Sequence, residues 1–253
     1  MAQQRIPFHF HAEGHAFSGE FRHPTWSIIP AQAATSLPTI GGHAESTVEN
    51  FRFLDYVQFK HAHTHISGKR RVGDSGGSYV THASAVIEGL NILGTVTADR
   101  IVSRLTSVHK VGDPEPHIVA EDSRFEGLRI AGQDVKVTLR HKLLVENRTA
   151  ADVIGKGIAS DKKNGRMVGI DPKGRVAICS LVEKIETKLP GVDAKKHLIE
   201  VKNFGRIYLA ELFVEESTRT LTMLRLELGS PHVAAITAAE TRSNGQPVPP
   251  SGP

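Results

Sequence analysis

The segment Glu88-Gly89-Leu90-Asn91-Ile92-Leu93-Gly94 recurs 38 residues later as Glu126-Gly127-Leu128-Arg129-Ile130-Ala131-Gly132, with five of seven positions identical. Each copy has a glutamate, a glycine, two apolar residues two positions apart and a closing glycine. That pattern is typical of a strand that alternates its faces and then ends in a turn. The repeat therefore predicts two equivalent strands, either in one sheet or in two packed layers. It carries no signal for catalysis.

The composition of the chain is that of a globular, turn-rich protein. Of its 253 residues 39% are hydrophobic, and 23 are glycine and 13 proline. We expect an all-β fold with little helix, mainly an antiparallel sandwich or a flattened barrel. Residues 1–241 are expected to form a single β-rich domain. Residues 242–253 are rich in Gly, Pro and Ser, which predicts a disordered or loosely tethered tail.

The net charge, the pattern of the first residues and the length of the apolar runs indicate which cellular location and which partners to expect. The net charge is only +4 and no concentrated basic tract is present, so we expect no nucleic-acid partner. The first residues lack the pattern of a signal peptide, and no apolar run approaches the roughly 20 residues of a membrane helix. These features predict a cytoplasmic protein with no membrane partner. The single cysteine, Cys179, lies in an apolar run and is expected to be buried.

Histidines on two strand-like segments are the candidates for a metal site. On a strand, His61, His63 and His65 project to one face, and two imidazoles two residues apart can converge on a divalent transition metal. Strand pairing would let that face share a site with residues of the first strand, which are His9, His11 and Glu13. In the alternative interpretation these histidines form the polar face of a half-exposed strand, and the protein binds no cofactor.

A basic, glycine-rich loop is predicted from Gly68 to Gly77. It contains Lys69, Arg70 and Arg71, which are candidates for contact with an anion or a polysaccharide. The segment around Ser75 matches the nucleophile segment of trypsin-like serine proteases. Ser75 comes too early in the chain for that family, with no matching histidine segment before it, so protease activity is not expected.

The last predicted strands contain a candidate ion pair. Residues 206–214 are apolar on both faces, as in a central strand, except for Glu211. Hairpin geometry could place Glu211 near Arg225, and we predict a partly buried ion pair because buried charges are rare unless paired. One face of the hairpin partner is predicted to carry Thr222, Leu224, Leu226 and Leu228. The other face is predicted to carry Leu221, Met223 and Arg225.

Three longer segments, Tyr79–Asp99, Phe125–Val135 and Phe204–Gly229, contain short apolar runs bounded by glycine, and Asn244-Gly245 follows them. Together they resemble the bacterial proteins grouped as the choice-of-anchor P family. The resemblance implies a β-rich fold, a location at the cell surface or outside the cell, and no established activity. We expect the chain to depart from that family, because its residues show neither the pattern of a signal peptide nor that of a C-terminal sorting signal.

These observations predict a non-enzymatic β-rich binding or structural module. We expect a homo-oligomer that self-associates through strand edges or an apolar face. One alternative is a metal-dependent or small-molecule enzyme that uses His61, His63 and His65 with Glu13 or a histidine of the first strand. The other is an anion- or polysaccharide-binding protein that uses residues 68–77. The residues identify neither a substrate, nor a small-molecule or glycan ligand, nor an oligomer number.

Overall fold

The computed structural model describes residues 8–72, 77–158, 169–171 and 173–247. It is 65% strand and 6% helical, with two antiparallel sheets of nine strands each that do not close into a barrel. The all-β prediction is confirmed, in its sandwich form. The strands in chain order are β1 (Phe8–Phe21), β2 (Ser27–Gln32), β3 (Thr35–Ser36), β4 (Gly42–Phe53), β5 (Val57–Arg71), β6 (Ser78–Ile92), β7 (Val96–Lys110), β8 (His117–Val119), β9 (Arg124–Glu126), β10 (Arg129–Ile130), β11 (Gln133–Leu139), β12 (Gly169–Ile170), β13 (Ala177–Ser180), β14 (Val182–Thr187), β15 (Leu198–Val201), β16 (Gly205–Glu215), β17 (Thr218–Leu228) and β18 (Ala234–Pro247).

The first and last strands of the chain share one sheet. In this first sheet the strand order is β12-β13-β16-β17-β18-β1-β2, with β15 also beside β16 and β3 beside β1. The second sheet has the order β14-β11-β10-β7-β6-β5-β4, with β8 and β9 also beside β7. Buried side chains from the inward faces of both sheets form one main apolar core. The outward faces of the two sheets therefore point away from each other.

A short helical segment follows β11. It consists of α1 (Lys142–Glu146) and α2 (Ala150–Asp152), and α2 continues as a π-helical turn over Val153–Gly157. The Thr149 hydroxyl accepts a hydrogen bond from the Asp152 amide at 3.0 Å and so caps the start of α2. Within the described ranges, no helix is both long enough and apolar enough to cross a membrane.

The two copies of the repeated segment flank the same strand, β7. Glu88 in β6 and Glu126 in β9 both lie opposite Arg100. The later isoleucine of each copy, Ile92 or Ile130, lies opposite Val96. The repeat thus marks equivalent segments on the two sides of one strand, within one sheet.

Irregular residues reverse the inward and outward alternation partway along the long strands. In the first sheet Ala210 and Ala239 have φ of 49° and 53°, and in the second sheet Asn50 and Gly89 have φ of 50° and 64°. In β17 the neighbours Met223 and Leu224 are both buried, so the inward positions shift by one residue there. The predicted faces of β17 are therefore wrong. Thr222 faces outward like Arg225, whereas the inward face carries Leu221, Met223, Leu224, Leu226 and Leu228.

The tail predicted from residue 242 is ordered as far as residue 247. β18 extends to Pro247 and pairs along its length with β1, where Asn244 lies opposite His11. Arg242 Nη1 also donates a hydrogen bond to Glu13 Oε1 at 3.3 Å. The prediction of a loose tail is wrong for residues 242–247, because β1 supplies backbone partners that composition does not reveal. Residues 248–253 lie outside the described residues.

Candidate functional site at the open edge of the second sheet

The three histidines of β5 lie on the outward face of the second sheet. The rings of His61 and His63 are 5.3 Å apart between centroids, and His61 Nδ1 lies 3.9 Å from Glu88 Oε2. Burial lowers the pKa of His63, and the neighbouring His61 lowers it further. His63 is therefore expected to stay neutral near pH 7. His65 at the end of this row is exposed.

Acidic side chains flank the histidines on both neighbouring strands. In β4, Glu49 lies opposite His61 and Glu45 lies opposite His65. In β6, Glu88 lies opposite His61, and Arg100 Nε approaches Glu88 Oε1 at 3.3 Å. Across β4 to β7, one row of the outward face therefore alternates acidic and basic groups as far as the edge of the sheet, and this charge ladder consists of Glu49, His61, Glu88 and Arg100.

The histidines of the first strand do not join this row. His9, His11 and Glu13 lie on the outward face of β1 in the first sheet. The inward faces of the two sheets lie between these two sets of residues and are in direct contact. For example, the hydroxyls of Ser103 in β7 and Thr241 in β18 are 2.7 Å apart. The prediction of a metal site shared by the histidines of β5 and the residues of β1 is therefore wrong, because the two sets occupy opposite outer surfaces of the sandwich. Among the described residues, no group of three His, Cys, Asp or Glu is arranged to hold a metal ion.

The basic residues of the predicted loop are part of a strand. Lys69, Arg70 and Arg71 end β5, where they lie opposite residues 78–80 of β6 and are exposed. The loop prediction is wrong for these three residues. Residues 73–76, with Ser75, lie outside the described part of the chain.

The terminal strand β4 differs from the other strands that end the two sheets. β12 has two residues, and β2 has six with Pro30 among them. β14 has six residues, of which three are charged, including Lys184. β4 has 12 residues, and it also carries three charged residues, Glu45, Glu49 and Arg52, but neither Pro nor Lys occurs in it. Because proline, lysine and shortness are among the devices that block a sheet edge, β4 is the long edge strand without Pro or Lys in the described part of the molecule.

Exposed apolar side chains lie at both ends of β4. Ile40, which precedes the strand, is 90% exposed, and Leu54, which follows it, is 60% exposed. On β2 and just before it, Ile28 and Trp26 are also exposed. The edge position of β4 depends on the pairing of the whole sheet. No local signal in residues 42–53 points to it, because Pro and Lys are also absent from the interior strands β1 and β6.

The structure contains the Glu211–Arg225 ion pair, on the outward face of the first sheet. Arg225 Nε donates to Glu211 Oε2 at 2.5 Å and Nη2 donates to Oε1 at 3.1 Å. The guanidinium carbon lies 3.7 Å from the centroid of the Tyr208 ring. The buried His197 places Nε2 at 3.7 Å from Glu211 Oε1. Burial alone would raise the pKa of the Glu211 carboxyl, but His197 and Arg225 outweigh burial and lower it.

The stabilisation from this pair is expected to disappear in acid. The folded-state pKa of Glu211 lies below its ordinary value of 4.5, so the contribution is complete above that pH and is lost as the pH falls through the folded-state pKa. The variant Glu211→Gln should be less stable than wild type near pH 7, and the difference should shrink near pH 3, as measured by urea unfolding. Glu200→Gln, which removes an exposed partner of Arg206, is the matched control and should change stability little at either pH. An equal loss for Glu211→Gln at both pH values would contradict this account.

A family model described as Domain of unknown function (DUF8256) matches residues 8–153 and 156–215. The match includes strands β1 to β16, and the two residues between its parts lie in the π-helical turn. No curated protein matches the chain, and no solved structure matches it. The resemblance to the choice-of-anchor P family stays a prediction.

Proposed function

Since the chain belongs to this domain family, whose description assigns no function, we propose a function from the geometry alone. The protein is a non-enzymatic binding or structural module that assembles with further copies of itself through the free edge of β4. The observation that carries this proposal is the length and composition of that edge, which has 12 residues without Pro or Lys.

The physical basis of the proposal is the backbone of the terminal strand. β4 pairs with β5 on one side only, so on its other side the alternate N–H and C=O groups can bond to an added strand. Its side chains are exposed or half-buried throughout, so a strand could approach without displacing the core. The inward-facing Val48, Phe51 and Phe53 pack against the main core and hold the edge in a defined position.

Sedimentation velocity over a range of protein concentrations tests the proposal. Wild type is expected to form a concentration-dependent dimer, whereas Ser46→Lys should remain monomeric because it puts a charge in the middle of the edge. Glu183→Lys, on the edge strand β14 of the same sheet, is the matched control and should associate like wild type. Thermal unfolding of each variant shows that its fold is intact. A wild-type protein that stays monomeric at every concentration would overturn the proposed function.

A further inference from the structure

The part of β4 that can accept a regular partner strand has definite limits. Gly41 and Gly42 have φ of 88° and 110°, so the regular extended backbone begins after them, at His43. Asn50 has φ of 50°, and the side-chain alternation reverses at that residue. A regular antiparallel ladder can therefore use the seven residues from His43 to Glu49, of which Ser46 is the middle one.

Charge limits how two copies of this segment can pair. In a symmetric antiparallel pair, a centre at Glu45 would place the two Glu45 carboxylates directly opposite each other. A centre at Thr47 would place Glu45 opposite Glu49 twice. Like charges in directly opposite positions destabilise a strand pair. A centre at Val48 would carry the ladder across the irregular Asn50, and a centre at Ala44 would leave only about half of the segment paired.

We propose, building on the function proposed above, that two copies pair antiparallel through β4 with Ser46 opposite Ser46 of the second copy. This register uses all seven residues and places His43 opposite Glu49 of the second copy, twice. Ala44 then lies opposite Val48 of the second copy, and Glu45 lies opposite its Thr47. No like charges are directly opposed, and the two second sheets join into one continuous sheet.

The register also extends the charge ladder of the outward face. Within one chain, Glu49 already lies opposite His61 of β5. In the dimer, Glu49 lies between that imidazole and His43 of the second copy. β2 and β3, which approach β4 from the first sheet, contain no Asp, Glu, Lys, Arg or His. The second copy thus continues a pattern of opposite charges that is present in the chain itself.

A cysteine at the two-fold position tests the register. Directly opposite residues have Cβ atoms about 4.5–5.5 Å apart, close to the separation in a disulfide, so Ser46→Cys should form a disulfide-linked dimer under mild oxidation. Cys179, the single native cysteine, is fully buried and does not compete. Ala44→Cys is the control, because its two copies would lie about 13 Å apart along the ladder and should cross-link far more slowly.

A mixed sample makes the test specific. Ala44→Cys and Val48→Cys should each cross-link slowly alone, but their mixture should give a heterodimer, identified by mass after one of them is lengthened with a tag. If wild type dimerises in sedimentation yet Ser46→Cys cross-links no faster than Ala44→Cys, the register is wrong and the proposed function stands. If wild type is monomeric, the proposed function and the register both fail.

Discussion

Replacing Glu115 with Ala is expected to lower the free energy of unfolding by about 3 kcal/mol, because it leaves a buried cation without its carboxylate. The cation is Arg219, which is 1% exposed and whose Nη2 lies 3.8 Å from Glu115 Oε2. Burial lowers the pKa of Arg219, and Glu115 opposes that shift. Glu115 also accepts a hydrogen bond from the Ala150 amide at 3.0 Å, so the substitution loosens the start of α2 as well. Urea unfolding measures the loss.

Two further variants separate the contribution of the Glu115 charge to stability from that of its hydrogen bond with the Ala150 amide. Glu115→Gln keeps an acceptor for the Ala150 amide but removes the charge, so its loss should be smaller than that of Glu115→Ala. The double variant Glu115→Ala/Arg219→Met should recover most of the stability, because apolar replacement of a buried pair is often neutral. A loss of less than about 0.5 kcal/mol for Glu115→Ala would show that the pair does not stabilise the fold.

Replacing Gly127 with Ala is expected to cost about 3 kcal/mol, because the new methyl group meets both a strained backbone and a filled site. Gly127 has φ of 59°, a conformation that L side chains rarely adopt. A Cβ built there would lie 2.0 Å from Asp99 Oδ2 and 2.9 Å from Asp99 Cβ. Rotation of the Asp99 side chain can move the oxygen but not its Cβ. Thermal and urea unfolding measure the effect.

The closing glycine of the same repeat is the matched control. Gly132 has φ of 76°, but a Cβ built there would meet no atom within 4 Å. Gly132→Ala should therefore cost only the backbone strain, about 1 kcal/mol. The difference between the two variants isolates the contact with Asp99. Equal losses for Gly127→Ala and Gly132→Ala would show that the contact is relieved without cost.

Local patterns in the sequence were sufficient to predict the fold class and the ion pair between Glu211 and Arg225. The repeat at Glu88 and Glu126 predicts equivalent strands, because the spacing of glycine and apolar residues is a property of a single strand and its turn. The structure places both copies beside β7. Glu211 and Arg225 were predicted from hairpin geometry, which is also local along the chain.

The assignment of faces failed where the backbone departs from regular geometry. Alternation with a period of two predicts Thr222 and Leu224 on one face, but both Met223 and Leu224 are buried. In the paired strands, Ala210 and Ala239 take positive φ near this point. Alanine gives no warning of such a conformation, which the surrounding sheet imposes. The face of a strand residue is therefore predictable from the sequence only as far as the next irregular residue.

By itself, the sequence determined that the protein is an all-β protein, that its repeated segments are strands, and that His61, His63 and His65 share a face. Only the tertiary structure decided that the histidines of β1 lie on the opposite outer surface, that residues 242–247 are a strand, and that β4 is an open edge. The physical reason is that the alternation of side chains depends on the local backbone. The choice of sheet and of neighbouring strand depends on hydrogen bonds between residues far apart in the chain.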